Sequence, residues 1–426
     1  MAALSENQIA IVKATAPVLK EHGVAITTVF YDNLIRENPE LNNIFSTSSQ
    51  RTGAQPRALA GAVLAYATYI DDLGKLTHAV QRIAHKHVSL QVTAAQYDIV
   101  GKYLIQAIGQ VLGDAATPAI VDAWTAAYGL LASVFINLEG DMYKANAADH
   151  WVGWRKFKIL RKVPESSLIT SFYLAPVDNT PLPAFLPGQY VSLQLHVPQL
   201  GHLQSRQYSL SEGPSTTAYY RISVKKEDAP TPADAPGLIS NLLHAAYAVG
   251  DEVDLSHPQG EFAVDPADAL KAGVPAVLIS AGVGATPLKA ILDSLTTASG
   301  AAAAAAAAKR RPVSWIHSAR SSAAQPFGEA VRQICRENEH VRANVFLGSV
   351  GPEDRVGEHY EFGDMRLDLA RLDKERDLFV GDARAEYFIC GPEAFMIDVR
   401  QTLVAMGVDK GRTFLELFAT GDVPDA

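Results

Sequence analysis

Four groups of residues have the types and spacing for chemistry. Val80, Ile83 and His87 are three and four residues apart, which puts the imidazole on an inward-facing helical stripe. An inward histidine is either a metal ligand or a satisfied core residue. Arg206-Gln207-Tyr208-Ser209-Leu210 puts a cation, an aromatic face and a hydroxyl into five residues. That set suits a dinucleotide such as a flavin, with Arg on pyrophosphate, Tyr on the ring or ribitol and Ser at the flavin edge. The alternative is an ordinary strand with an exposed Arg. Ala281-Gly282-Val283-Gly284-Ala285-Thr286-Pro287 follows an apolar run, so a phosphate could approach its glycine backbone at a helix N-terminus. It is not Gly-x-Gly-x-x-Gly, and a plain strand-to-helix turn reads the same way. Cys390-Gly391-Pro392 closes a late strand, where open α/β sheets bind ligands, although a buried Cys before a turn is the simpler reading.

The elements that must hold these residues change character twice along the chain. Residues 1–148 read as helices. Ser5-Glu6-Asn7-Gln8 and Thr93-Ala94-Ala95-Gln96 are capping-box patterns, and Thr117-Pro118 is a cap followed by Pro. Leu59, Val63, Tyr66 and Ile70 form one core-facing stripe, and Trp124, Tyr128, Leu131, Phe135, Leu138 and Met142 another. Six or seven helices in one all-α domain are expected. Residues 151–265 carry short β-rich runs broken by Pro and Gly, such as Tyr190–Leu195 and Tyr219–Val224, and predict an antiparallel β-barrel. Residues 272–426 alternate buried strand runs with helices and predict a parallel α/β sheet. Ala301–Ala308 is a low-complexity run with no assigned function.

The 426 residues are 48% hydrophobic and 19% charged, which is enough apolar material for several cores and excludes wholesale disorder. A net charge of −9 with no long basic run argues against nucleic acid or an anionic membrane as partner. Two cysteines exclude a disulfide scaffold or a Cys metal cluster and fit a reducing compartment. No stretch reads as a membrane span, and Met1–Asn7 does not read as a signal peptide. A cytoplasmic monomer is expected.

Taken in order, Pro187-Gly188-Gln189-Tyr190, the Arg206–Leu210 run, Gly237-Leu238-Ile239-Ser240-Asn241, the glycine turn and Cys390-Gly391-Pro392 resemble the ferredoxin–NADP reductase superfamily over residues 151–426. Phe30-Tyr31-Asp32, Asn38–Leu41 with Ile44-Phe45, Ala84–His87, Gln96–Gly101 and Ala123–Glu139 resemble the globin domain of the flavohemoglobins, the nitric oxide dioxygenase family. The resemblance implies haem b, FAD and NADPH or NADH as cofactors. Nitric oxide and O2 would be the substrates and nitrate the product. His87 would ligate the haem iron, with Tyr97 and Glu139 behind it, Tyr31 and Gln55 on the opposite face and Phe45 as a wedge. Lys86 and Glu416 would tune the approach of haem to flavin, and His85 would face solvent. Tyr190, Arg206, Gln207, Tyr208, Ser209 and Ser240 would hold FAD, closed by Leu417, Phe418, Ala419 and Thr420. Gly282, Val283, Gly284, Ala285, Thr286 and Pro287 would meet NAD(P)H with Cys390, Gly391 and Pro392. Ser318 and Arg320 would meet a 2′-phosphate and so suit NADPH. The chain departs from the family pattern at Leu417-Phe418-Ala419, where Cys and Gly are usual, and at the alanine run. Reduction of peroxides, or haem sensing or oxygen carriage with a resetting reductase, stay open as alternatives.

Overall fold

The computed structural model describes residues 4–229, 235–296, 310–419 and 421. The alanine run 301–308 and Thr420 lie outside the described residues.

Seven helices open the chain: α1 (Glu6–Ala14), α2 (Ala16–Glu37), α3 (Thr47–Arg51), α4 (Ala54–Thr68), α5 (Thr77–Ser89), α6 (Ala94–Leu112) and α7 (Pro118–Ala148). Their starts follow the capping residues. Gln8 N donates to Ser5 Oγ at 3.2 Å and Ser5 N to Gln8 Oε1 at 3.0 Å. Thr93 N donates to Gln96 Oε1, and Thr117 Oγ1 receives Ile120 N ahead of Pro118. The stripe on α4 runs past its helix: Ile70 is buried but lies two residues beyond Thr68. Helix α7 is long and apolar enough to cross a bilayer by length and composition, contrary to the expectation that no stretch is. Its buried face carries Trp124, Phe135 and the carboxylate of Glu139, so it has the place of a core helix within the bundle. Gly101 lets α6 approach α7, since a Cβ there would stand 2.5 Å from the Tyr128 ring. The Tyr128 hydroxyl then donates to the Tyr97 carbonyl at 2.6 Å. This contact is what lets side chains of α6 and α7 meet.

The barrel strands are β1 (Arg155–Pro164), β2 (Ile169–Pro176), β3 (Tyr190–Val197), β4 (His202–Ser209), β5 (Tyr220–Lys225) and β6 (Glu252–Leu255), with α8 (Leu238–Ala246) between the last two. The order is β4-β3-β6-β1-β2-β5, every pairing is antiparallel, and a bridge between Leu210 and Ile222 joins the two edges. Trp151, Phe157, Phe172, Leu193 and Tyr220 fill the interior. The sequence predicts no strand at β6 and gives one at β4 only as the alternative reading of Arg206–Leu210. β6 has only four residues, and β4 is too polar to read as an apolar run.

The last part contains β7 (Ala276–Ala281), α9 (Ala285–Thr296), β8 (Val313–Ala319), α10 (Gly328–Glu337), β9 (Val341–Leu347), β10 (Glu386–Cys390), α11 (Glu393–Ala405) and β11 (Thr413–Glu416). The order β11-β10-β7-β8-β9 is parallel throughout, so the strand order reverses between β7 and β10. A crevice at such a reversal is the usual ligand position of an open α/β sheet. β11 is short and escaped the sequence reading.

The barrel docks on the helices at two places. Gln204 of β4 donates to the carbonyls of Asn42 and Phe45 at 2.8 and 3.1 Å and receives Thr47 N at 3.0 Å. The end of α5 meets β3 and the segment after β6, as described below.

Candidate functional site

His87 sits on the last turn of α5. Its Nδ1 is 2.8 Å from Glu139 Oε1 and 2.9 Å from the Tyr97 hydroxyl, which itself donates to Glu139 Oε1 at 2.6 Å. The Glu139 side chain is 4% exposed and that of His87 32%. Burial, then the bond to Glu139, pushes the Tyr97 phenol well above its ordinary value, so it stays a donor. A carboxylate on Nδ1 fixes the tautomer and enriches the imidazole in electron density. Nε2 is left without a protein partner among the described residues, which fits an axial metal ligand.

Tyr31, on α2, is buried, and burial holds its phenol protonated although a side-chain hydrogen bond with Gln55 pulls the other way. Gln55 lies in the first turn of α4. Phe45 meets the Tyr31 ring edge-on at 5.3 Å. A cleft of about 450 Å³ lined by Thr28, Tyr31, Gln50 and Pro56 runs between α2 and the corner before α4.

His85 does not face solvent as expected. Its Nδ1 is 2.8 Å from Gln259 Oε1 and 3.2 Å from Gly260 N, because α5 lies against the barrel and the side opposite the inward stripe meets that surface. Lys86 is half-buried beside it, and desolvation with neighbouring Arg206 and Arg82 lowers its pKa, while Glu416 opposes the shift. Glu416 ends β11, next to Cys390 across the sheet and within electrostatic reach of Arg82, Lys86 and Glu261. Burial pushes its carboxyl up to about 8, against Arg82 and Lys86 and with Glu261. Burial, with Glu416 nearby, puts the Cys390 thiol well above its ordinary value, so it is inert.

Arg206 and Tyr208 lie on β4, in register with Leu193 and Val191 of β3. Arg206 bonds the Ser205 carbonyl at 2.7 Å and Ser48 Oγ at 2.8 Å, and burial lowers its pKa. No carboxylate pairs with it among the described residues. A desolvated cation without a counter-charge is costly, so this position fits an anion such as pyrophosphate. Tyr190 begins β3, and Gln207 and Ser209 share β4 with Arg206. Ser240 lies in α8, close against Gly237, whose added Cβ would meet its hydroxyl at 2.6 Å.

At the reversal of the α/β sheet, Gly282 has φ +55° and open space where a Cβ would stand. Gly284 is the opposite case: a Cβ would lie 2.2 Å from the Cys390 carbonyl oxygen. The turn is thus pressed on β10 at one glycine and open at the other, at the N-terminus of α9. This fits a phosphate on backbone N–H groups. Val283, Ala285, Thr286 and Pro287 complete the turn, with Thr286 Oγ1 donating to the Val283 carbonyl at 2.9 Å. Gly391 and Pro392 lead from β10 into α11 across the crevice. Ser318 lies at the end of β8, with the exposed side chain of Arg320 just beyond it. Leu417 packs on the α/β core, while Phe418 is 49% exposed and Ala419 exposed. Sequence reasoning missed Ser89, Ser192, Gln204 and Gln259, which join the helices to the barrel. A serine within the buried run Val191-Ser192-Leu193 was the one signal available.

Residues 28–135 match the family model described as Globin. A flavohemoprotein of Bordetella pertussis is 45% identical over 422 residues, 99% of this chain and 100% of the relative. The crystal structure of flavohemoglobin from Malassezia yamatoensis with bound FAD and heme aligns with a TM-score of 0.81 at 33% identity, covering 98% of this chain and 100% of that one. The flavohem-like FAD/NAD binding domain of nitric oxide dioxygenase from Vibrio cholerae aligns over 62% of this chain and 97% of its own, at 33% identity and a TM-score of 0.50. Fold and matches together define a globin joined to a two-part reductase module, an oxidoreductase architecture. The chain belongs to the flavohemoprotein family.

Proposed function

We propose that this protein is a nitric oxide dioxygenase that uses NAD(P)H, FAD and haem b, with divisions at 1–148, 151–265 and 272–426. The observation that carries the reading is the Glu139–His87–Tyr97 network. A carboxylate behind the axial imidazole favours O–O bond chemistry over simple O2 carriage. When bound, FAD supplies the conversion of a hydride into single electrons, and haem the iron chemistry by which O2 oxidises nitric oxide to nitrate. His87 Nε2 holds the iron, and Glu139 Oε1 keeps the Nδ1 proton in place. Tyr31 and Gln55 offer donors on the opposite face, and Phe45 packs the haem edge. Arg206 takes the FAD pyrophosphate, with Tyr190, Gln207, Tyr208, Ser209 and Ser240 around the rest and Phe418 against the ring. Gly282–Pro287 cradles the NAD(P)H phosphates beside Cys390-Gly391-Pro392, and Ser318 with Arg320 receives a 2′-phosphate. Lys86 and Glu416 set the charge between the two redox groups.

Nitric oxide consumption by the loaded protein with NADPH, with and without O2, tests the reading. Fast consumption with nitrate formation is expected only with O2. Equal rates without O2, or reduction of peroxide with no nitrate from nitric oxide, would refute it.

A further inference from the structure

A line of hydrogen bonds crosses from the barrel into the helical part. Gln207 Nε2 donates to Ser192 Oγ at 2.9 Å, Ser192 Oγ to Ser89 Oγ at 2.8 Å, and Ser89 Oγ to the Lys86 carbonyl at 2.8 Å. The Tyr190 side chain also bonds Ser89. Ser89 and Ser192 are both 0% exposed, so no bulk water competes. Ser192 is clamped in turn: its N–H meets Ser256 Oγ and its carbonyl receives Ser256 N, each at 2.9 Å.

Every donor in this line points the same way, an arrangement in which each bond strengthens the next. The line ends on a main-chain carbonyl, which has no proton to release. It therefore holds position rather than relaying protons. Its two ends are informative. Gln207 and Tyr190 belong to the strands β4 and β3, assigned above to the flavin. Lys86 and Ser89 belong to the last turn of α5, which carries His87.

We propose that Ser192 and Ser89 are positioning residues for electron transfer: their paired hydroxyls hold the turn carrying His87 at a set distance and orientation from the flavin strands. This rests on the reading that β3 and β4 face FAD and that His87 holds haem. The step served moves one electron from reduced flavin to iron, which goes from ferric to ferrous, and no bond forms or breaks. Ser192→Ala strands the Gln207 donor and removes one partner of Ser89, so α5 loses its side-chain tie to Ser192 while Tyr190 still reaches Ser89. The double variant Ser89→Ala with Ser192→Ala removes both hydroxyls. It brings two methyl groups together, and it leaves Gln207 Nε2 and the Tyr190 side chain without their serine partners.

The test is anaerobic stopped-flow mixing of the loaded full-length protein with NADPH, reading flavin bleaching and haem reduction as separate phases. Ser192→Ala and the double variant are expected to keep the wild-type flavin phase. Haem reduction should slow by about tenfold, as small misplacements of reacting partners do. Amide hydrogen exchange over residues 86–92 should rise in Ser192→Ala, although Ser192 lies in the barrel. Wild-type haem and FAD content and an unchanged flavin phase in both variants separate the effect from a folding defect. Unchanged haem reduction in the double variant, or flavin and haem phases slowed by the same factor, overturns the proposal. Absence of any flavin-to-haem transfer in the wild type would overturn the functional reading itself, and the proposal with it.

Discussion

The haem-side network and the glycine turn are built from different materials. His87, Tyr97 and Glu139 come from three helices and meet only through side chains. Gly282–Ala285 is four consecutive residues whose useful groups are backbone N–H, pressed on a backbone carbonyl of β10. A site of the first kind fails when one functional group is deleted. A site of the second kind is indifferent to many side chains and fails when a single Cβ is added.

The largest effect expected from this contrast is at His87. His87→Ala should lose most tightly bound haem while FAD stays, as read from the Soret band and the flavin spectrum of one preparation. Full haem occupancy in the variant would remove His87 as the ligand. Tyr31→Phe keeps ring volume and deletes one buried donor. Loss of such a donor costs about 2.7 kcal/mol at the low end, on the order of a hundredfold faster O2 dissociation. Flavin reduction should be untouched, and an unchanged O2 off-rate would leave Tyr31 as core packing alone.

Gly284→Ala tests the other kind of site. A Cβ 2.2 Å from the Cys390 carbonyl must push β7 from β10, at about 1–3 kcal/mol of stability for overpacking. Hydride transfer from NADPH should slow while haem content stays at the wild-type level. A variant with normal melting temperature and normal flavin reduction would break the contrast. Arg320→Ala should raise the KM for NADPH roughly tenfold, since an exposed charge-assisted contact is worth about 1.5 kcal/mol. An equal rise for NADH would show that Arg320 does not read the 2′-phosphate.

A prediction on stability rather than activity concerns Glu416, whose carboxyl burial raises from 4.5 to about 8. Between these values the folded protein keeps a proton that the unfolded chain releases. This group's stabilising contribution is therefore whole below about pH 4.5 and lost as pH rises through about 8. Every tenfold gain in proton affinity on folding contributes at most about 1.4 kcal/mol. Glu416→Gln should flatten the fall in melting temperature across that range, and parallel curves for the two proteins would contradict it.

Much of this was legible in the residues. The capping pairs at Ser5, Thr93 and Thr117 announce helix starts because their partners lie three residues away. Gly282 and Gly284 announce their turn for the same reason: the constraint is local. The apolar period placed His87 inward, and the order of weak motifs pointed to the family.

Tertiary structure decided what depends on distant partners. Residue type alone would send Glu139 to solvent. It is buried because Gly101 brings α6 against α7 and supplies Tyr97 and His87 as partners for its charge. His85 looked solvent-facing because the barrel surface that receives it lies 174 positions further along the chain. Ser89 carries no pattern and Ser192 only its place in an apolar run, since a hydroxyl becomes a connector only when two separately folded surfaces bring its partner within reach and exclude water. Local sequence sets each element and its inward face through short-range sterics and hydrogen bonding. Which side chains then share a proton or a charge is set by packing between elements, whose free energy no single segment contains.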